Sequence, residues 1–230
     1  MTPRQRVEGW FRERGRKPFR FQREVWSAYL AGESGLVHAA TGTGKTLAAW
    51  LAPLLEWLGE ARPGRPEGAP PLRVLWITPL KALAADTLEQ LRIPLRDLEI
   101  PWTLETRTGD TSEAARARQR RRLPSALVTT PESLSLLLAR ADAASIFGDL
   151  RMVVVDEWHE LMGTKRGVQV ELALSRLRAL RPGVRSWGLS ATIGNLEEAL
   201  EALLGAGAAG RVMRGAEPKR VVVDAVRSGR

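Results

Sequence analysis

Residues 39–46 read Ala-Ala-Thr-Gly-Thr-Gly-Lys-Thr. They follow a short apolar run, GLVHA at 35–39, that predicts a strand, and they open a segment at 45–59 that predicts a helix. A glycine-bearing turn from strand into helix constrains the whole chain, because a strand left through a helix pairs with parallel neighbours reached by crossover. Glycines 42 and 44 let the backbone curl so that successive N–H groups point inward, forming an anion nest at a helix N-terminus. This is the setting of a Walker A loop, with Ala39 where the simplest pattern has glycine. Phosphate is the natural occupant. Thr41, Gly42, Thr43, Gly44, Lys45 and Thr46 are therefore candidate ATP-binding residues, Lys45 as a charge on the β- and γ-phosphates and Thr46 as a hydroxyl ligand to Mg²⁺.

The rest of the chain continues the alternation. Apolar or β-branched runs at 73–78, 126–130, 151–156 and 185–190 predict strands, with a weaker candidate at 102–106. Helices are predicted at 81–92, 111–121, 131–140, 167–180 and 195–204, the last opening on Asn195 with Glu197 and Glu198 at the positive end of the dipole. The strand runs show little apolar/polar alternation, as strands covered on both faces do. The fold class that follows is α/β, a mostly parallel central sheet with helices on both faces, and together with the phosphate loop it resembles a RecA-like P-loop NTPase domain. The Pro/Gly-rich stretch at 61–72 reads as a surface loop, and there is no internal repeat. Residues 1–205 read as one ATP-binding domain, with an N-terminal helical region at 1–33. Residues 206–230, which hold the apolar run VVVDAV, read as an extension too short to form a second domain.

The most hydrophobic strand run, RMVVVD, ends on Asp156 and Glu157. Ligands of open parallel sheets bind at the carboxyl ends of the strands, so this acidic pair is expected to face the same crevice as the phosphate loop. Asp156 suits Mg²⁺, commonly through water, and Glu157 suits the polarisation of an attacking water. His159 is expected to bridge this site to the neighbouring turn Leu189-Ser190-Ala191-Thr192, where Ser190 and Thr192 offer hydroxyls.

The 35 Lys and Arg outnumber the 26 Asp and Glu, leaving a net charge of +9 that favours a polyanionic partner, nucleic acid first. There is no cysteine, which excludes disulfides and thiolate zinc sites. No apolar run approaches membrane-spanning length and no secretory signal pattern opens the chain, so a cytoplasmic protein without membrane contact is expected. The arginines at 116, 118, 120, 121 and 122 point around most of a predicted helix, as a solvated face does. Trp50, Trp57 and Trp76 fall on element cores and read as packing residues, while the pattern leaves Trp158 open.

Four segments in order, FRFQREVW with Gln22, ATGTGKT, DEWH and Ser190-Ala191-Thr192, resemble the Q-like motif and motifs I, II and III of superfamily 2 helicases. The wording DEWHELMGTKRGVQVELALSRLR, with LSATIGNLEEAL, is similar to Lhr-type helicases and among them to the ligase-associated DExH-box group. The resemblance implies that Gln22 reads the adenine edge through its amide. It further implies that Thr78, Pro79 and Lys81 form motif Ia, Thr108 and Gly109 a motif Ib-like turn, and Thr130, Pro131 and Ser133 motif Ic, gripping the phosphates of a single strand without reading bases. Relatives of this kind are implied to be DNA-dependent ATPases that move 3′ to 5′ and act in DNA repair. They carry a second RecA-like domain whose arginines reach the γ-phosphate, so a second domain is expected as partner and this chain by itself is expected to be weakly active or inactive. Two other readings accommodate a phosphate loop with an acidic pair. Another class of P-loop ATPase would lack the Gln22 segment and the Ser190 turn, and a non-catalytic nucleic-acid-binding module would have no need of intact Lys45, Thr46, Asp156 and Glu157.

Overall fold

A computed structural model of the chain describes residues 1–60 and 68–215. The VVVDAV run and the first part of the Pro/Gly-rich loop lie outside the described residues. Seven strands form one sheet: β1 (Gly35–His38), β2 (Val74–Ile77), β3 (Leu104–Arg107), β4 (Ala126–Thr129), β5 (Met152–Val155), β6 (Arg185–Ser190) and β7 (Arg211–Arg214). Their order is β3-β4-β2-β5-β6-β1-β7, and every registered pair is parallel. The expected parallel sheet is thus present, and its two-sided burial explains why the strand runs are continuously apolar.

Alternation along the strands sorts side chains into two cores. Val37, Val74, Trp76, Met152, Val154, Trp187 and Leu189 face one side, where α1 (Pro3–Glu13), α2 (Arg20–Leu30), α3 (Lys45–Gly59) and α4 (Lys81–Asp97) cover them. Leu36, Leu75, Ile77, Val153 and Val155 face the other, under α6 (Pro131–Leu138), α7 (Ala143–Ile146), α8 (Trp158–Leu161), α9 (Lys165–Leu180) and α10 (Leu196–Leu204). The remaining helix, α5 (Glu113–Arg121), lies beside edge strand β3, where Gln119 donates to Glu105 and to the Thr106 carbonyl.

Local chemistry sets the element ends. Asn195 caps α10 by accepting from the Glu198 N–H, as expected, while Thr164 and Ser112 cap α9 and α5. Helix α4 runs five residues past its expected end at 92, through Pro94, because Leu91, Pro94 and Leu95 continue its buried stripe. The weak strand candidate at 102–106 is displaced to 104–107: Trp102 is buried but precedes the strand. The sheet also takes in residues the sequence assigned to the extension, since β7 pairs with β1 in the register Gly35↔Arg211 to His38↔Arg214. Among the described residues no helix is long and apolar enough to cross a membrane.

Candidate functional site

Strands β1, β5 and β6 are neighbours, so the turns that leave their carboxyl ends meet. The turn after β1 is the phosphate loop. Gly42 and Gly44 both hold left-handed backbone, φ 78° and 89°, which glycine adopts without steric penalty. At Gly44 the constraint is double, because a Cβ there would lie 2.6 Å from the Gln22 amide nitrogen. Helix α3 starts on Gly44 with no side-chain cap, leaving its first N–H groups for a ligand.

Lys45, buried at the first turn of α3, donates its ammonium to the Ala39 carbonyl at 2.6 Å. An ammonium carries three donors, so others remain for phosphate oxygens. Burial pushes the Lys45 pKa down, and the nearby Glu157 and Asp156 carboxylates oppose that shift. Those two carboxylates close the opposite wall. Asp156 Oδ1 accepts from the Glu157 N–H at 3.0 Å and Oδ2 from the Trp76 indole at 3.1 Å. Burial raises the Asp156 pKa and Glu157 adds to it, while the Trp76 bond, the Glu157 N–H and Lys45 pull it back. Glu157 turns the chain in left-handed backbone, φ 45°, a conformation that costs a non-glycine residue about 1–2 kcal/mol. The turn ends the strand and aims the carboxylate at the crevice instead of across the sheet. Its Oε2 is buried without a hydrogen-bond partner, 3.5 Å from His159 Nδ1.

One cavity of about 420 Å³ is lined from three sides: by Thr41, Gly42, Gly44, Lys45 and Thr46 of the loop, by Asp156 and Glu157, and by Leu83, Asp86, Thr87 and Gln90 of α4. The sequence pattern pointed to the first two groups. The α4 wall was missed, since no motif marks it. A larger recess of about 690 Å³ lies between α2 and β7, and of the four guanidiniums around it Arg20, Arg23 and Arg211 are paired with Glu24, Glu8 and Glu33, while Arg4 donates to the Ser27 hydroxyl. Its size therefore does not mark the chemistry. Among the described residues no group of three or more His, Asp or Glu could hold a metal by itself. This donor set fits Mg²⁺, which takes one or two protein oxygens and completes its shell with phosphates and water.

The structure places Ser190 where the sequence expected a coupling contact, its hydroxyl 3.1 Å from His159 Nδ1. Thr192 is exposed beyond it. Gln22 differs from expectation. Its side chain is 1% exposed, Oε1 accepting from the Phe19 N–H and Nε2 donating to the Gly44 carbonyl. The amide expected to face a base is turned onto the phosphate loop, because it caps α2 at one end and ties that loop at the other. Trp158, left open by the sequence, is fully buried and donates to the Ala199 carbonyl, so it packs α8 on α10.

The turns after β2, β3 and β4 sit side by side, since those strands are contiguous in the sheet. They hold Thr78, Pro79 and Lys81, then Thr108 and Gly109, then Thr130, Pro131 and Ser133. The hydroxyls expected to meet phosphates point inward: Thr78 donates to the Leu80 carbonyl, Thr108 accepts from the Asp110 N–H, and Thr130 bonds Ser133. Of the helices these turns lead into, α4 begins without a side-chain cap, whereas Ser112 caps α5 and α6 opens on Pro131, which has no N–H, and on Glu132, whose carboxylate accepts from its own backbone N–H. Lys81 pairs with Asp110, and Arg166 bridges the Pro79 carbonyl and Glu132, so the turns are tied to one another. The arginine cluster divides. Arg118 and Arg120 are exposed, whereas Arg116 staples the Thr108 turn through the carbonyls of Thr108, Gly109 and Thr111.

Comparison with known proteins agrees with this geometry. The model of the DEAD/DEAH box helicase family matches residues 19–199. The chain is 36% identical over 197 residues to the Lhr helicase/uracil glycosylase of Escherichia coli K12, covering 80% of this chain and 13% of that protein. It is 37% identical over 210 residues to the ATP-dependent helicase Lhr-Core of Methanothermobacter thermautotrophicus, covering 86% of this chain and 24% of that protein. Among solved structures, the Mycobacterium smegmatis helicase Lhr bound to ssDNA and AMP-PNP superposes with a TM-score of 0.79 at 35% identity, over 93% of this chain and 27% of that one. The DUF1998 helicase MrfA bound to DNA gives 0.75 at 26% identity, over 91% of this chain and 29% of that one. The chain thus spans about a quarter or less of the curated relatives' length. It belongs to the DEAD/DEAH box helicase family, as a RecA-like ATP-binding domain of the Lhr type.

Proposed function

We propose that this domain binds Mg-ATP in the cavity between the phosphate loop and the acidic pair, grips a single nucleic-acid strand across the turns after β2, β3 and β4, and forms the first half of a helicase motor. The carrying observation is that Lys45 and Thr46 line the same cavity as Asp156 and Glu157. Thr46 and Asp156 would hold Mg²⁺ together with phosphate oxygens, and the ion would neutralise charge that develops during phosphoryl transfer. Lys45 binds the β- and γ-phosphates. Glu157, whose carboxylate lines the cavity, holds and polarises the attacking water. His159 and Ser190 link this wall to β6 and the turn beyond it, which gives a path for coupling nucleotide state to the strand.

The strand grip is sequence-independent, because the uncapped N-terminus of α4 and backbone groups of the turns meet phosphates and read no base edges. A positive balance of +9 supports the polyanion. DNA is the favoured strand, since the two solved helicases described above are bound to ssDNA and to DNA. Movement 3′ to 5′, a role in DNA repair, and a second RecA-like domain as partner follow from the resemblance to Lhr-type helicases. The test is equilibrium binding of labelled single-stranded DNA and RNA, with and without Mg²⁺ and a non-hydrolysable ATP analogue. Binding of DNA that is indifferent to sequence, weakens with salt and changes with nucleotide is expected. No binding of either strand under any of these conditions would remove the nucleic-acid half of the proposal.

A further inference from the structure

Trp76 reads from the sequence as a packing residue, and it does pack, but its indole also holds the carboxylate of Asp156. Trp76 in β2 is registered against Val154 in β5, and Asp156 follows Val154 by two residues, so all three project to the same face of the sheet. The indole N–H donates to Asp156 Oδ2 at 3.1 Å, while Oδ1 accepts the Glu157 N–H at 3.0 Å. Trp50, Trp158 and Trp187 satisfy their indoles with main-chain carbonyls. Trp76 instead donates to a carboxylate that lines the nucleotide cavity.

The donor is rigid. Trp76 is 1% exposed and meets Trp50 edge-on, with ring centroids 6.4 Å apart and planes at 81°. Trp50 is in turn fixed by its bond to the Leu91 carbonyl and an edge-on contact with Trp102. A carboxylate torsion is otherwise broad. With one oxygen held by backbone and the other by a ring that cannot turn, the plane of the Asp156 carboxylate is set.

We infer that Trp76 is the positioning residue for Asp156, presenting the remaining lone pairs of its carboxylate to Mg²⁺ brought with the nucleotide. The inference rests on the reading of the cavity as a Mg-ATP site. A purely structural Trp76 would matter for packing alone. A positioning Trp76 sets how much Mg²⁺ is needed while leaving the metal-free contacts of the loop untouched.

The experiment is a Mg²⁺ titration of fluorescent ATP-analogue binding to the parent protein, Trp76→Phe and Asp156→Ala. Trp76→Phe keeps the apolar ring and removes the donor. It should bind nucleotide as the parent does in EDTA, lose some thermal stability because a core void and an unpartnered carboxylate oxygen are left behind, and need about tenfold more Mg²⁺ for half-maximal binding, the effect of one lost hydrogen bond to a charged group. An equal Mg²⁺ requirement in Trp76→Phe and parent, with Asp156→Ala impaired, would overturn the role of Trp76 and leave the site intact. A parent whose binding ignores Mg²⁺ would overturn the site reading, and the inference with it. Should Trp76→Phe fold poorly, the indole N–H resonance of Trp76 in the unsubstituted protein decides. It should move when nucleotide is added with Mg²⁺ and stay in place with nucleotide and EDTA, and a resonance unmoved by either addition overturns the proposal.

Discussion

Glu157 carries two roles that can be separated by substitution. Its carboxylate reaches the cavity, and its backbone holds φ 45° so that the chain leaves β5 sharply. Glu157→Gln removes the proposed base and keeps size and backbone. It should bind nucleotide as the parent does and, where the parent motor hydrolyses ATP in a strand-dependent way, reduce that turnover by at least two orders of magnitude. Near-parental turnover would take Glu157 out of the reaction. Glu157→Gly should lose hydrolysis equally while relieving the left-handed backbone, raising stability to denaturant by about 0.5–1 kcal/mol. A lower urea midpoint in Glu157→Gly would show that the turn is held by the carboxylate and carries no strain. That Lys45, Thr46, Asp156 and Glu157 would line one cavity was legible in the sequence because each sits at the end of an element that declares itself. The positions of Gln22 and Trp76 were not. The first depends on how α2 docks on the loop and the second on the register between β2 and β5, neither of which a linear pattern encodes.

A polar group of three side chains joins α2, α3 and β6. The Tyr29 hydroxyl donates to Glu56 at 2.7 Å, Arg185 donates to the same carboxylate at 2.8 Å, and the guanidinium lies over the Tyr29 ring. Burial, more than the Glu56 charge, drives the Tyr29 pKa far above its ordinary 10.0. The sign of the pH effect follows. Above about pH 10 the unfolded chain releases this proton and the folded chain keeps it, so the stabilisation present at neutral pH is lost as pH rises. Tyr29→Phe should cost about 1.5–3 kcal/mol at neutral pH and flatten the alkaline part of a denaturation series, because the substituted chain has no phenol to ionise. An unchanged alkaline slope would locate that loss elsewhere. The same scale shows what sequence patterns reveal of architecture. Strands β4 and β5 were read within a residue or so because burial on both faces makes them continuously apolar. Strand β7, RVMR, was missed because it is an edge strand with two exposed arginines and one buried side chain, Met213. Helices α7 and α8 span four residues each, too few for a helical period to show.

At the scale of the molecule, charge and site composition point the same way. Among the described residues many arginines sit in surface ion pairs, as Arg166 does with Glu132 and Arg118 with Glu105, which moderates their pull on a polyanion. Inside the cavity the balance is reversed: Lys45 is the one cation among its lining residues, against Asp86, Asp156 and Glu157. A transferring phosphoryl group needs more positive charge than that, and an arginine brought by another domain is worth roughly 10³–10⁵ in rate in related systems. The 230-residue chain by itself is therefore expected to hydrolyse ATP very slowly, with little stimulation by single-stranded DNA in a steady-state assay. Fast, strand-stimulated turnover by this chain alone would show that the cavity is complete without a partner. The central claim is that the phosphate loop and the acidic pair act on one bound nucleotide. Its most direct test is calorimetric titration of a non-hydrolysable ATP analogue with Mg²⁺ into the parent, Lys45→Ala and Asp156→Ala. One saturable site in the parent, weakened at least tenfold by either substitution, is predicted, and parental affinity in either variant would contradict it.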